Sequence, residues 1–125
     1  MSEGCVFCVC HDRVVCENDL AFAIYDSFPV SPGHMLVIPR RHVPDYFSAT
    51  GEEIIAMHGL IVRCREVLEE TYRPAGYNIG VNVGRAGGQS IFHLHVHVIP
   101  RYRGDTPKPR GGVRHVIDGR GDYPG

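Results

Sequence analysis

Residues 93–100 read HLHVHVIP, with His93, His95 and His97 alternating with Leu94, Val96 and Val98. On a strand, residues two apart share a face and stand about 6.6 Å apart, at a rise near 3.3 Å each. The pattern predicts three imidazoles along one face, with the aliphatic residues turned to a core. Two chemistries suit such a ladder. In one, His93 and His95 are two ligands of a catalytic metal whose remaining ligand comes from elsewhere, since the strand offers no carboxylate. In the other, one imidazole is a nucleophile that carries a phosphoryl or nucleotidyl group, while the others bind and orient phosphate. Phosphate needs donors, and the Gly-rich loop GRAGGQS at 84–90 stands just upstream. Gly87 and Gly88 would let backbone N–H groups approach closely, and Gln89 and Ser90 would add side-chain hydrogen bonds. Alone the loop is a weak signal; beside the ladder it is a strong one.

The elements that must position these residues are short. VVCENDLAFAIYD predicts two strands around a polar turn at Glu17, Asn18 and Asp19. SFPVSPG is a Pro-rich connection, and HMLVIP is an apolar strand closed by Pro39 and followed by the basic RRH. Thr50-Gly51-Glu52-Glu53 has capping-box spacing and predicts a helix start. From there apolar residues recur at Ile54, Met57, Ile61, Cys64 and Leu68, near the helical period. Ile55, Leu60, Val62 and Val67 widen that stripe beyond one core face, which predicts a helix that also meets a second subunit. YNIGVNV alternates like a strand, and IFHLHVHVIP is the last one. After Pro100 the composition turns to Gly, Pro and Arg, and in this tail only VRHVI has strand-forming residues.

At 125 residues the chain fits one domain, and 43% hydrophobic with 22% charged residues is ordinary for a globular protein. No apolar run is long enough to span a bilayer, and MSEGCVF does not read as a secretion signal, so the expected setting is the cytoplasm. Residues 1–100 hold 7 Lys/Arg against 11 Asp/Glu, whereas 101–125 hold 6 against 3. A basic tail on an acidic body could attract a phosphorylated ligand. Without interleaved aromatics it does not read as a nucleic-acid surface, and no stable nucleic-acid partner is expected. Four of the five cysteines fall within the first sixteen residues, which argues for reduced thiols or metal ligands rather than a disulfide framework.

HLHVHVI, together with PGHMLVIPRRHV, NVGRAGGQS and the CVFC start, resembles the histidine triad (HIT) superfamily of nucleotide hydrolases and transferases. The likeness covers residues 5 to about 103, and the tail looks most like bacterial members and some dinucleoside-polyphosphate hydrolases. It implies an α+β fold over 1–103, with an antiparallel sheet of about five strands, one long helix and a short N-terminal helix. Residues 104–125 would be a basic Gly/Pro-rich tail. The resemblance implies that His95 attacks the α-phosphate and becomes nucleotidylated. His97 would donate to the phosphate and assist the leaving group, and His34 would lie beside the triad. Asn82, Gly88, Gln89 and Ser90 would contact phosphate and ribose, Asp26 the ribose hydroxyls, and Val6, Phe7 and Ile24 the base.

Some similar members complete a Cys-x-x-Cys zinc site with two histidines, which here would be Cys5, Cys8, His42 and His93. The resemblance also implies a homodimer and a purine nucleotide substrate. A diadenosine polyphosphate is the first expectation, since the Arg/Lys tail could hold extra phosphates. A nucleoside phosphoramidate is the alternative, and a nucleotide-binding regulator with negligible turnover is the reading outside the enzymes.

Overall fold

The structure, a computed structural model, describes residues 5–8 and 13–124; Cys10 lies outside them. Five strands form one antiparallel sheet: β1 (Val14–Glu17), β2 (Ala21–Tyr25), β3 (Met35–Pro39), β4 (Gly76–Gly80) and β5 (Val96–Arg101), in the spatial order β1-β2-β3-β5-β4. The helix α1 (Gly51–Thr71) packs on one face. The fold is α+β, as expected. Where a short N-terminal helix was expected, the described residues show a 3-10 turn at Val6–Cys8.

Period-two alternation divides the sheet into two faces. Ala21 and Ala23 of β2, Met35 and Val37 of β3, and Val96 and Val98 of β5 meet Met57, Leu60, Cys64 and Leu68 of α1 in one buried cluster. Phe22, Ile24, Leu36 and Ile38 point the other way and pack with Phe7 in a second cluster. Because both faces are covered, β2 and β3 read as nearly continuous apolar runs. The small alanines of β2 admit the helix, whereas the large residues on the opposite face build the floor of the site.

The helix begins as its capping box requires: the Glu53 N–H donates to Thr50 Oγ1 and the Thr50 N–H to Glu53 Oε1. Its wide apolar stripe resolves into two parts. Leu60 and Leu68 belong to the core beneath the sheet, whereas Ile55 and Val62 are exposed. Gly33 brings the β2–β3 connection across the end of α1. At φ +88° its absent Cβ would lie 2.8 Å from Leu68 Cδ2. A side chain there would push away the turn that delivers His34.

Three expectations need correction. The strand read in YNIGVNV ends at Gly80, so Val81, Asn82 and Val83 follow it as irregular chain. The last strand is shorter than IFHLHVHVIP: its ladder runs over Val96–Arg101, so His93, Leu94 and His95 precede it. The Leu94 N–H instead donates to Val43 O, which draws this stretch toward the segment after β3. VRHVI in the tail forms no strand; Gly112–Val116 is a 3-10 turn, entered through Gly111 and Gly112 at positive φ. The tail folds back as an arm. Arg101 grips Asp105 through Nε at 2.8 Å and Nη2 at 2.7 Å, and Tyr102 Oη donates to Pro32 O.

Candidate active site

His93, His95 and His97 do not share one environment. His93 is fully buried, while His95 and His97 are partly exposed. The Nδ1–H of His95 donates to the His93 carbonyl at 2.9 Å. A neutral imidazole has one N–H, so this bond assigns the lone pair to Nε2. Phe7 lies against the ring at 4.9 Å between centroids and restricts its rotation.

The second ring is fixed from another direction. The Val30 N–H donates to His34 Nδ1 at 3.1 Å, which leaves the His34 proton on Nε2. That nitrogen lies 2.9 Å from His97 Nδ1 and 3.5 Å from Asp26 Oδ2. His34 therefore donates to His97 Nδ1, and the His97 proton sits on Nε2. Burial holds the His34 pKa below its ordinary value, against the opposing pull of Asp26. Burial, then the neighbouring His95 and His34, push His97 down to about 4. Both rings are neutral at pH 7. Asp26, His34 and His97 do converge as three donor atoms. However, a cation on His34 Nε2 would move the ring proton to Nδ1, against the Val30 N–H, so the cluster reads as a hydrogen-bond chain.

His95 and His97 border a cavity of about 520 Å³, with His34 behind them. Val6, Phe7, Ile24, Leu36 and Ile91 supply its apolar wall, and Asp26, Asn82, Gly88, Ser90, His95 and His97 its polar one. The expected residues Asp26, Asn82, Gly88 and Ser90 are thus gathered with His95 and His97. Leu36 and Ile91 were not anticipated; the alternation of HMLVIP puts Leu36 opposite Met35 and could have revealed it.

Gln89 departs from expectation. Its buried amide accepts from the Gly84 N–H and donates to Pro44 O and Ile91 O, so it braces the loop from inside rather than reaching into the cavity. The glycine N–H groups are engaged as well: Gly87 donates to Gly84 O and Gly88 to Arg85 O. Gly88 closes the turn at φ +94°. The loop holds Asn82 and Ser90 in place; it does not offer these two amides to an anion.

Behind the cavity, four donors face one point. Cys5 Sγ and Cys8 Sγ lie 3.3 and 3.4 Å from His93 Nδ1, Cys8 Sγ lies 3.3 Å from His42 Nδ1, and the two Nδ1 atoms are 3.1 Å apart. Around a tetrahedral zinc ion, with bonds of about 2.0 Å to nitrogen and 2.3 Å to sulfur, ligand atoms stand roughly 3.3–3.8 Å apart. The observed spacings are close to that. The His93 Nε2–H donates to Pro39 O at 2.8 Å, which leaves the Nδ1 lone pair facing the thiols. Arg41, next to His42, pairs with the buried Glu53 at 2.8 and 3.1 Å and ties this segment to the start of α1. The sequence reading missed that clamp. Cys16 and Cys64 take no part; they are buried together between β1 and α1, where the Cys64 thiol donates to Cys16 and is pushed up in pKa by it.

Residues 9–104 match the family model described as the HIT domain. An uncharacterized 16.1 kDa HIT-like protein of Mycoplasma pneumoniae is 41% identical over 106 residues, covering 81% of this chain and 74% of that one. An AP-4-A phosphorylase of Mycobacterium tuberculosis is 38% identical over 94 residues, 74% of this chain but only 48% of the phosphorylase. Among solved structures, a Zn-bound histidine triad family protein from Mycobacterium smegmatis superposes with a TM-score of 0.76 at 34% identity, covering 86% of this chain and 82% of that one. With its sheet, helix and three histidines arranged as described, the chain belongs to the HIT domain family.

Proposed function

We propose that the protein is a nucleotidyl hydrolase that cleaves a purine nucleotide derivative at its α-phosphate through a nucleotidyl-His95 intermediate. The observation that carries this reading is the lone pair on His95 Nε2, set by the bond from Nδ1–H to the His93 carbonyl and bordering the cavity that Asp26, Asn82 and Ser90 share. In the first displacement Nε2 bonds to phosphorus and the bond to the leaving group breaks, the leaving atom taking the electron pair and a solvent proton. In the second, water supplies oxygen to phosphorus, the N–P pair returns to Nε2 and the water proton goes to solvent. His97 Nε2–H donates to a phosphoryl oxygen as charge develops. Asp26 receives the ribose hydroxyls, and Val6, Phe7, Ile24, Leu36 and Ile91 enclose the base.

The likeness to an AP-4-A phosphorylase supports a dinucleoside polyphosphate as substrate; a nucleoside phosphoramidate would use the same nucleophile and the same nucleotide half of the site. Cys5, Cys8, His42 and His93 would hold a structural zinc ion, supported by the donor spacing and by the Zn-bound relative. Zinc supplies a closed tie between the N-terminal turn and the histidine segment, and no step passes through it. No helix is long and apolar enough to cross a membrane, and a reducing cytoplasmic setting suits the thiols. Exposed Ile55 and Val62 on α1 fit the contact of a homodimer. Residues 1–103 would be the HIT domain and 104–125 an arm carried by it. The test is mass spectrometry of protein mixed with adenosine 5′-phosphoramidate and quenched in alkali: an adenylyl adduct on His95 is expected, and its absence during turnover would refute the mechanism.

A further inference from the structure

Cross-strand register lays the nucleotide cavity out as a row. His97 of β5 stands opposite Leu36 of β3, Leu36 opposite Ile24 of β2, and Ile24 opposite Val14 of β1. Neighbouring strands lie about 4.8 Å apart, so the row runs roughly 14 Å from the reacting end to β1. With the α-phosphate at His95 and His97 and the base over Leu36 and Ile24, the purine edge remote from the sugar reaches the β1 end. Two polar residues of the cavity wall stand there: Arg13, just before Val14, and Ser27, just after Asp26. Arg13 Nη1 donates to Ser27 Oγ at 2.6 Å. Among the described residues that is the one hydrogen bond of Arg13, so the other guanidinium N–H groups remain for a ligand. Ser27 sits in a fixed turn, because Asp26 Oδ1 accepts the Phe28 N–H at 2.9 Å. Phe28 lines the same rim with its ring 87% exposed, an apolar face left open at the mouth of the cavity.

We propose that the Arg13–Ser27 pair reads the outer edge of the purine and selects a 6-oxopurine nucleotide, of guanosine or inosine, over an adenosine nucleotide. The inference rests on the nucleotidyl-transfer reading for the placement of the phosphate, and it names the base which that reading leaves open. A guanidinium only donates. A 6-oxopurine presents N7 and O6 as two adjacent acceptors, which a guanidinium engages together, whereas adenine presents N7 beside an N6 amino donor. Adenine therefore keeps one contact and sets a donor against a donor at the other. Ser27 acts through its partner: the bond from Arg13 Nη1 holds the guanidinium at the rim. Both residues are exposed, so water competes for the same groups and the effect is a preference rather than an exclusion.

Calorimetry on the full chain with GMP, IMP and AMP reads the base apart from any turnover, and the three nucleoside 5′-phosphoramidates read it through kcat/KM. GMP and IMP are expected to bind about 5- to 30-fold more tightly than AMP, with the phosphoramidates cleaved in the same order. Arg13→Ala should bring both ratios near one. Arg13→Gln should move them below one, because an amide that donates and accepts matches N7 and N6 of adenine. Ser27→Ala, which keeps the guanidinium but releases it, should fall between wild type and Arg13→Ala. AMP binding as tightly as GMP to the wild type would overturn the inference, as would a preference that survives Arg13→Ala. So would IMP behaving as AMP, because recognition would then lie at the guanine 2-amino group. If all three nucleotides bind alike while the His95 adduct still forms, this inference alone fails. If the base preference holds but no phosphoramidate yields the adduct, the nucleotidyl-transfer reading fails and the base assignment stands. If no nucleotide binds, both fail.

Discussion

Consider His95→Ala. His95 Nε2 holds its lone pair because Nδ1–H is committed to the His93 carbonyl. The neighbouring ring, 5.2 Å away between centroids, cannot substitute. Its own lone-pair nitrogen, Nδ1, receives the His34 proton at 2.9 Å, and its other nitrogen carries a hydrogen. The substitution therefore removes nucleophilic catalysis outright, leaving only binding and the remaining donors. A loss of about 10⁴- to 10⁶-fold in kcat follows, or roughly 5.5–8 kcal/mol at 1.36 kcal/mol per decade. Nucleotide affinity should change less than about threefold, since base, ribose and phosphate contacts lie with other residues. Single-turnover kinetics and calorimetry with a non-hydrolysable AMP ester measure the two quantities. His95→Gly with added imidazole should recover part of the rate. Retention of more than about 1% of wild-type kcat by His95→Ala would refute the reasoning, as would an adduct that persists in it but vanishes in His97→Ala.

Metal analysis should find one zinc per chain, and Cys8→Ala or His42→Ala should release it; metal-free wild type with an unchanged melting temperature would remove the zinc reading and leave the nucleophile untouched. Val62→Asp on the exposed side of α1 should shift sedimentation from dimer to monomer, whereas Leu68→Ala, in the core, should cost about 2–5 kcal/mol of stability without that shift. A wild type that sediments as a monomer at micromolar concentration ends the dimer argument. For pH, burial and then the neighbouring His95 and His34 push the His97 pKa from its ordinary 6.5 down to about 4. The unfolded chain takes the proton first, so stability tied to neutral His97 is complete above pH 6.5 and is lost as pH falls toward 4. The full shift corresponds to about 3.4 kcal/mol, and solvent access to the ring reduces this to about 1–2 kcal/mol. Denaturant melts at pH 7 and 4.5 should show a smaller difference for His97→Asn, and an identical slope would contradict the assignment.

Local chemistry made much of this fold readable. Thr50 and Glu53 announce the helix because the capping box is a contact within four residues, and it forms as expected. Asn18 marks the β1–β2 turn because its side chain accepts from the Leu20 and Ala21 N–H groups. What depended on distant partners was hidden. Alternation in HLHVHVIP says which residues share a side, not where pairing begins, and the bond from Leu94 N–H to Val43 O delays it to Val96. Gln89 in a Gly-rich loop is polar whether it faces ligand or braces the turn; only the position of Pro44 O decides. The apolar stripe of α1 likewise fixes the helix but not which leucines the sheet covers. The charge of the tail was visible, yet its use was not, because Asp122 and Tyr123 reach Lys108, Arg110 and Arg114 only when the arm folds back.

Spacing of two does more than align three imidazoles. It places the carbonyl of one histidine within reach of the next ring but one, so His93 O can receive His95 Nδ1–H. His93 thereby serves twice, its backbone fixing the nucleophile and its Nδ1 facing the thiols. Its own tautomer is set in turn by Pro39 O at the end of β3, and that of His97 by His34, the residue just before the same strand. Three chemically identical side chains become a metal-facing acceptor, a nucleophile and a hydrogen-bond donor because a different neighbour takes the proton or lone pair of each. The answer to why the ladder needs three histidines lies in β3 as much as in the ladder: one strand supplies the partners that make the rings unequal.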